Sequence, residues 1–345
     1  MKNMKKLYLL FLIIALIFMS CYFTNIPVYP SYTAFHDIDI LESPFSAVEE
    51  RITGMANNGE IVTAVGSNGT IAYSLDHGVN WKKADLLLDI FPDGIAFNDI
   101  CRSEKYFLAV GDSGKAAWSN NGIEWQFGVI GPMSPKNILS VSAGKMGKQH
   151  IFLAGGTDGR IAYALNSPQG PWYQVSFSPF GDKENEGESV NAIGFGTVKS
   201  IGIFVAAGDN GKIAIMNDTS GRMYGPTGAG TRQAFRGVAF GNDRFIAVGD
   251  GALMKVSPDP ESYSWLTIHD SDFGMRPFLK VDFDPSIEKF VLVTTNAVLG
   301  FSETGERWSA TTFPNSDSKR EISAVTCTKR RIVIGFSDGS IMYSN

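Results

Sequence analysis

The sequence predicts an all-β fold, a seven-bladed β-propeller in which an N-terminal strand completes the last blade. Three observations predict it. A unit of about 45 residues recurs seven times, each copy holds two β-runs joined by a tight turn, and the last copy stops before its outermost strand. A period near 45 residues is typical of a four-stranded propeller blade.

The composition agrees with many short strands and tight turns. The 345 residues include 37 Gly, 44% are hydrophobic and only 19% are charged, which excludes a disordered charged chain. The formal net charge is −5, and such a chain lacks the basic face that nucleic-acid binding requires. We therefore expect no nucleic-acid partner.

The repeat is clearest at the end of the second strand of each blade, strand b, and in the turn that leads to strand c. Blade 1 reads IVTAVGSNGTIAYS from residue 61, and blade 2 reads FLAVGDSGKAAWS from residue 107. Asn-Gly, Ser-Gly and Asp-Gly turns supply the positive φ angles that tight hairpins need. The equivalent positions are Gly66, Gly111, Gly156, Gly208, Gly249, Thr295 and Phe336.

The first and last strands of a blade flank this hairpin. An alternating run such as residues 235–240 precedes it and is interpreted as the innermost strand a. An aromatic residue opens the outer strand d, at Trp81, Trp125, Trp172, Tyr224, Trp265 and Trp308. The seventh strand d is missing from the C-terminus. We expect residues 32–40, which begin with Tyr32, to fill its place and leave the ring without an open edge.

The N-terminus is typical of an export signal. Lys2, Lys5 and Lys6 precede thirteen apolar residues, 7–19. At ~1.5 Å per residue this run reaches about 20 Å, less than the ~30 Å hydrocarbon core of a membrane. Residues 1–20 are therefore predicted to be a signal peptide. Its removal changes the formal charge from −5 to −8, because three lysines leave and no acids do.

Residues 18–21, Phe-Met-Ser-Cys, resemble a bacterial lipobox, although the first two positions depart from the usual pattern. The resemblance implies that Cys21 is lipidated and becomes the mature N-terminus. Residues 21–31 would then be a tether and residues 32–345 the propeller. This places the protein in a bacterial cell envelope, anchored by lipid to the outer membrane or cell surface. The alternative is an ordinary signal peptide with an incidental Cys21.

The remaining cysteines and the histidines give no catalytic or metal-binding pattern. Cys101 and Cys327 fall in blades that are not neighbours, so we expect buried free thiols. The histidines are scattered over different blades and are interpreted as packing or surface residues; they are His36, His77, His150 and His269. We expect no metal and no cofactor.

Residues 74–81, SLDHGVNW, match the Asp-box pattern S-x-D-x-G-x-x-W, and residues 119–125 and 302–308 are shortened versions. The chain thereby resembles the BNR/Asp-box propellers, which include sialidases, sortilin-type domains and photosystem II assembly factors. The resemblance covers about residues 32 to 345. It implies a structural role in an outer turn for Ser74, Asp76, Gly78, Trp81, Trp125 and Trp308.

A sialidase-like hydrolase would need three arginines to clamp a carboxylate, a Tyr nucleophile with a Glu partner, and a general acid. The Arg-Ile-Pro motif of that family is absent, since residues 51–53 read Arg-Ile-Thr. Sialidases also usually have six blades rather than seven. We therefore predict a non-enzymatic binding or assembly platform. A glycan-directed lectin or glycoside hydrolase on the same fold is the alternative.

In propellers the b–c turns and d–a loops share one face around the channel mouth, and such loops carry recognition. We expect a monomer that binds an envelope protein or glycan there. Acidic candidates in the b–c turns are Asp112, Asp158, Asp209 and Asp338, beside the related Asn68, Asp250 and Asn296; a cation site or ordinary turn chemistry would explain them. Basic candidates at strand a are Arg51, Arg236, Arg276 and Arg320. The loop 176–188 is acidic and is either a partner-facing flap or a solvated insertion.

Overall fold

The computed structural model describes residues 35–36, 43–84, 86, 94–181, 187–225, 230–262, 264–312 and 321–344. They form seven antiparallel sheets in chain order. The inner strand of each blade contacts those of the blades before and after it, and the contact between the last and the first closes the ring. The predicted seven-bladed β-propeller is confirmed.

The strands follow the predicted order a, b, c, d from the channel outward. The inner strands a are β2 (Ile52–Asn57), β6 (Phe97–Arg102), β10 (Ile138–Met146), β14 (Val190–Val198), β17 (Phe235–Gly241), β21 (Phe278–Asp284) and β25 (Ile322–Cys327). The strands b are β3 (Val62–Gly66), β7 (Phe107–Gly111), β11 (Gln149–Gly156), β15 (Ile201–Gly208), β18 (Arg244–Gly249), β22 (Lys289–Thr294) and β26 (Ile332–Phe336).

The outer half of each blade is shorter. The strands c are β4 (Ile71–Ser74), β8 (Lys115–Ser119), β12 (Ile161–Leu165), β16 (Ile213–Met216), β19 (Leu253–Ser257), β23 (Val298–Ser302) and β27 (Ile341–Ser344). The strands d are β5 (Lys82–Lys83), β9 (Gln126–Val129), β13 (Trp172–Gln174), β20 (Leu266–Thr267), β24 (Ser309–Thr312) and, for blade 7, β1 (Phe35–His36).

Within the described residues, helical structure is limited to single 3-10 turns. They lie at Ser46–Val48, Asp112–Gly114, Thr157–Gly159, Asp209–Gly211, Asp250–Ala252, Pro260–Ser262, Ser271–Phe273 and Thr295–Ala297. No helix in the described part of the chain is long and apolar enough to cross a membrane.

The last blade is completed by the N-terminal strand, as the sequence predicted. Strand β1 pairs antiparallel with β27, with Phe35 opposite Ser344 and His36 opposite Tyr343. The pairing covers the outer edge of β27, which would otherwise expose unpaired backbone groups. Tyr32 and most of the predicted run 32–40 lie outside the described residues.

Blade 4 departs from the predicted four strands. Among the described residues its sheet has three strands, and the place of strand d holds a single antiparallel bridge between Ile215 and Tyr224; residues 226–229, which follow, lie outside the described part of the chain. The segment before Tyr224 also contacts the chain that leaves blade 3. Ser176 donates its backbone N–H to the carbonyl of Gly221, and Met223 donates its N–H to that of Phe177. The segment before Tyr224 is therefore shared with the chain that leaves blade 3.

The end of strand b shows why glycine recurs there. In blade 2, a Cβ on Gly111 would lie 2.0 Å from the carbonyl oxygen of Ala96, and the glycines that end β11, β15 and β18 are equally close to the corresponding carbonyl. In blade 6 the residue in this register is Thr294, opposite Phe278, and not Thr295 as the sequence spacing suggested. The one-residue error arose because the turn of blade 6 lacks the glycine that marks the others.

The core consists of apolar seams between adjacent blades. Between blades 1 and 2, for example, Val65 and Ile71 pack with Phe107 and Trp125. Each sheet buries both of its faces against its neighbours, which is why the strands b are buried along most of their length. The strands a are left with one edge toward the channel.

Candidate functional site

Every strand a begins with a β-bulge, at the face where the b–c turns lie. In each blade one residue is skipped in the pairing of strand a with strand b, as between Ile52 and Gly54 in β2. A bulge leaves its extra residue unpaired and turns its side chain away from the regular alternation. The bulged residues are Thr53, Asn98, Leu139, Asn191, Arg236, Leu279 and Ser323.

Two of these bulged residues connect neighbouring blades. The Nδ2 of Asn98 donates to Asp112 Oδ1 in its own turn at 2.9 Å and to the carbonyl of Ile138 in the next blade at 2.9 Å. Asn191 makes the same pair of bonds, to Asp209 Oδ1 and to the carbonyl of Phe235. The predicted turn acids Asp112 and Asp209 therefore orient two asparagine side chains that hydrogen-bond one blade to the next.

The bulge of blade 5 holds an ion pair. Arg236 donates through Nε to Asp250 Oδ1 at 3.0 Å and through Nη2 to Asp250 Oδ2 at 2.8 Å. This bidentate hydrogen bonding raises the pKa of Arg236 above its ordinary value, while partial burial opposes the rise. Two residues singled out from the sequence are thus joined in blade 5.

The other predicted acids bind residues near them in the loops. Asp158 forms an ion pair with Lys136. Asp338 Oδ1 accepts the backbone N–H of Ser340 at 2.9 Å. The acids also occupy two different turn positions, since Asp112 and Asp209 come first in their 3-10 turns and Asp158 comes second, with φ at +58°. The described residues contain no group of three or more potential metal ligands.

The predicted arginines lie at the starts of blades 1, 5 and 6. Arg51 is exposed, and its carbonyl accepts the N–H of Ser67. Arg276 donates through Nη1 to the carbonyl of Phe273 at 3.0 Å. Of these two and Arg236, only Arg236 lines the channel cavity. Arg320 and Cys21 lie outside the described residues.

The acidic loop after blade 3 is described only at its ends. Glu188 accepts a hydrogen bond from Lys212 Nζ at 2.6 Å, and this bond holds the pKa of the Glu188 carboxyl below its ordinary value. Residues 182–186 lie outside the described part of the chain. Through this bond to Lys212, Glu188 helps to hold the b–c turn of blade 4 in place.

A cavity of about 380 Å³ occupies the channel and is lined by strand a of all seven blades. Its charged lining residues are Asp99, Arg102, Arg236, Lys280 and Asp282. It contains two arginines and neither tyrosine nor glutamate, so this cavity does not hold the three-arginine and Tyr/Glu set that a sialidase needs.

Polar side chains that were not predicted from the sequence bind the backbone along the inner edges of strands a. Asp99 Oδ2 accepts the Val141 N–H and the Ser140 hydroxyl, both at 3.0 Å and both from the next blade. Ser140 Oγ in turn accepts the N–H of Ile193 at 3.0 Å. An unpaired buried backbone N–H is costly, so these bonds stabilise the channel wall. No sequence pattern marked them, because strand β6 holds Asn98 and Arg102 as well as Asp99.

Asp282 has the same role at the seam between blades 6 and 7. Its Oδ2 accepts the N–H of Cys327 at 3.0 Å, and its Oδ1 accepts the N–H of Phe283 at 2.8 Å. Burial raises the pKa of Asp282 to about 6, and the nearby Asp284 adds to the rise, while the two backbone bonds oppose it. The carboxyl is therefore partly protonated near pH 6.

The outer turn of blade 1 is a compact hydrogen-bonded unit. Ser74 donates through Oγ to Asp76 Oδ1 at 2.7 Å and accepts the N–H of Gly78 at 2.8 Å. Trp81 donates through Nε1 to the carbonyl of Gly78 at 2.9 Å, as Trp125 and Trp308 do to Gly122 and Gly305. Burial raises the pKa of Asp76, but hydrogen bonds from Asn80 and Ser74 outweigh it and leave the pKa below its ordinary value.

The cysteines and histidines of the described chain form no catalytic arrangement with one another. Cys101 and Cys327 are buried free thiols, as expected, and burial raises the pKa of both. His150 Nε2 lies 3.4 Å from a Glu104 oxygen on the face opposite the b–c turns.

No protein-family model matches the chain, and no curated protein matches it. Among solved structures, YCF48 bound to D1 peptide has a TM-score of 0.66 at 15% identity and covers 90% of this chain and 97% of its own. YCF48 from Cyanidioschyzon merolae has a TM-score of 0.62 at 13% identity, and the match covers 86% of this chain and 96% of that structure. The WD40 propeller domain of Doa1 has a TM-score of 0.63 at 14% identity, and the match covers 86% of this chain and 93% of that structure.

At 13 to 15% identity these similarities show the fold alone. The chain is a seven-bladed β-propeller similar in architecture to YCF48 and to a WD40 domain. The resemblance to BNR/Asp-box propellers continues to rest on the sequence motif.

Proposed function

We propose that this protein is a non-enzymatic binding or assembly platform of a bacterial envelope, which holds a protein partner on the face of the b–c turns and d–a loops. One repeated contact carries the proposal. In all seven blades the first residue of the b–c turn donates its N–H to the carbonyl of the residue just before strand a, over 2.9 to 3.3 Å.

This contact joins the two kinds of loop on that face. Because each b–c turn is bonded to the residue just before strand a of its own blade, the b–c turns are held in place before any partner arrives. Binding to a pre-ordered surface avoids much of the entropy that flexible loops lose on association. The structure of YCF48 bound to D1 peptide supports the proposal, since a propeller of similar architecture binds a peptide.

Anchoring in the envelope is the second part of the proposal, and it rests on the sequence. The basic and apolar N-terminus followed by Ser20 and Cys21 supports export and lipidation. A lipid anchor would keep the platform beside membrane proteins and raise the local concentration of such partners.

The test is affinity capture of cross-linked partners from cells that produce the tagged full chain. Arg51→Glu reverses an exposed charge on the proposed face, and Lys148→Glu reverses an exposed charge in the a–b turn on the opposite face. We expect an envelope protein to be captured by the wild type and by Lys148→Glu, and at least tenfold less by Arg51→Glu.

Equal capture by both variants, or no enrichment over an unrelated propeller, would contradict the platform. Loss of capture after enzymatic removal of glycans from the extract would favour the glycan-directed alternative. The anchor is tested separately by metabolic labelling with a palmitate analogue. Label should enter the wild type and not Cys21→Ala, and equal labelling of the two would contradict lipidation.

A further inference from the structure

Strand c of blade 5 breaks the repeat at one buried position. Lys255 lies opposite Ala247 on strand b, two residues before the end of that strand. The same register in the other blades holds small or apolar residues, which are Ala72, Ala117, Ala162, Ala214, Gly300 and Met342. All of them are buried, and Lys255 itself is only 7% exposed.

Lys255 forms no ion pair with an acid among the described residues. Its Nζ donates to Thr267 Oγ1 on the neighbouring strand d at 2.6 Å, and no ion pair accompanies this bond. Burial lowers the pKa of Lys255, and no described acid raises it. A buried charge without a counter-charge is costly, so proteins rarely keep one that has only a structural role.

Lys255 lines a cavity of about 840 Å³ that opens on the face of the b–c turns and d–a loops. The volume falls within the range of small-molecule sites, about 300 to 1,000 Å³. Apolar side chains form much of the wall, notably Leu253, Ile268 and Met275, and Met275 is 75% exposed at the rim. The cavity is separate from the channel, with which it shares no lining residue.

We propose that this cavity binds a small organic monocarboxylate with an apolar body, whose carboxylate pairs with Lys255. One ammonium balances one negative charge. His269 and Asp270 also line the cavity. Asp270 Oδ1 accepts the N–H of Asp272, and its negative charge disfavours a dianion such as a phosphate ester more strongly than a monocarboxylate. The apolar wall matches a short hydrocarbon chain or ring.

The probes are hexanoate and hexan-1-ol, which share an apolar chain and differ in charge. Binding to the full chain is measured by isothermal titration calorimetry. We expect hexanoate to bind the wild type at least tenfold more tightly than hexan-1-ol. Lys255→Met, which keeps the length and removes the charge, should abolish that difference. Lys148→Met, at an exposed lysine on the opposite face, should leave it unchanged.

Thermal unfolding without ligand separates a binding role from a structural one. Because Lys255 is buried without a counter-charge, Lys255→Met and Lys255→Ala should raise the Tm while they weaken hexanoate binding. Four other blades have alanine in the register of Lys255, so Lys255→Ala should fold. Absence of hexanoate binding to the wild type, equal binding of the two probes, retained selectivity in Lys255→Met, or a lowered Tm in both variants would overturn the proposal.

Discussion

The aromatic ring of Phe240 lies directly against Gly196 of the preceding blade. A Cβ on Gly196 would stand 2.1 Å from the ring carbon Cγ. The same contact joins Gly144 to Phe195 and Gly241 to Phe283, also at 2.1 Å. Three successive seams, from blade 3 to blade 6, therefore use a glycine to admit a phenylalanine from the next blade.

Gly196→Ala should destabilise the ring, because the added methyl group cannot fit unless Phe240 and its strand move. We expect a loss of about 1–3 kcal/mol of unfolding free energy, the range for overpacked cores. Denaturant unfolding measures it. Gly131→Ala is the matched control, since a Cβ on Gly131 has no neighbour within 4 Å. Equal stability of the two variants would contradict the proposed packing.

Removal of residues 22–42 should destabilise the whole propeller. The deletion takes away Phe35 and His36, whose pairing with β27 completes blade 7, and leaves an open edge beside blade 1. We expect a lower Tm and aggregation, measured by thermal unfolding and light scattering. Deletion of residues 22–31 alone should leave the Tm unchanged. An unchanged Tm in the longer deletion would argue against the closure.

Asp282 should make stability depend on pH between about 4 and 6. Its folded pKa of about 6 is above the ordinary value of 3.8, so the folded state favours the protonated form. The stabilising contribution is therefore complete below pH ~3.8 and lost as the pH rises through ~6. The charged or titratable groups nearby are Asp284, the Cys327 thiol and Lys280, which also lines the channel.

Asp282→Asn should remove this dependence, so the stability of the variant relative to the wild type should rise by about 1–3 kcal/mol between pH 4 and pH 7.5, since one pKa unit corresponds to about 1.4 kcal/mol. Asn offers one acceptor oxygen, so one of the two N–H bonds that Asp282 accepts is lost at every pH and the rise is read from the difference between the two pH values. The measurement is the Tm of variant and wild type from pH 4 to 8. Asp243→Asn, at an exposed turn position, is the control and should follow the wild type. Parallel Tm curves for Asp282→Asn and the wild type would refute the assignment.

Asp76→Ala should cost about 1–2 kcal/mol, because the variant loses acceptors for Asn80 and Ser74 in the outer turn of blade 1. Asp76→Asn should be nearly neutral. Blade 2 has Asn121 at this position, and its Oδ1 accepts the N–H groups of Ile123 and Glu124. Chemical denaturation measures both variants.

Leu75→Ala is the control within the same turn, since Leu75 is 57% exposed. If Asp76→Ala were as stable as Leu75→Ala, the turn would not depend on this carboxylate. None of these variants should alter capture of a partner, because the turn lies between strands c and d, away from the proposed binding face.

Much of the architecture could be predicted because it depends on residues that recur at a regular spacing along the chain. The recurrence of glycine at the end of strand b and of an aromatic at strand d predicted seven blades and the completing role of the N-terminal strand. The prediction was wrong at Thr295, where the turn lacks its glycine, and for the fourth strand of blade 4. There the described residues near Tyr224 form only a bridge to Ile215 and also bond to the exit of blade 3, a long-range contact that no local pattern reveals.

The candidate site was less predictable. The sequence identified Asp112 and Asp209 as turn residues, but not that Asn98 and Asn191 link them to the next blade. It contained Asp282 and Lys255 without any sign of their environments. A residue's burial and its partners depend on strands that lie far apart in the chain.

The sequence by itself determined the all-β class, the number of blades and the order of their strands, because hydrophobic alternation and turn chemistry act over a few neighbouring residues. Only the tertiary structure decided which charges are paired, which are buried, and which cavity each one lines. Those properties arise when the ring closes and brings separate blades into contact. The raised pKa of Asp282 depends on its burial beside Cys327 of the next blade, and the place of Lys255 depends on strands c and d that pair within blade 5.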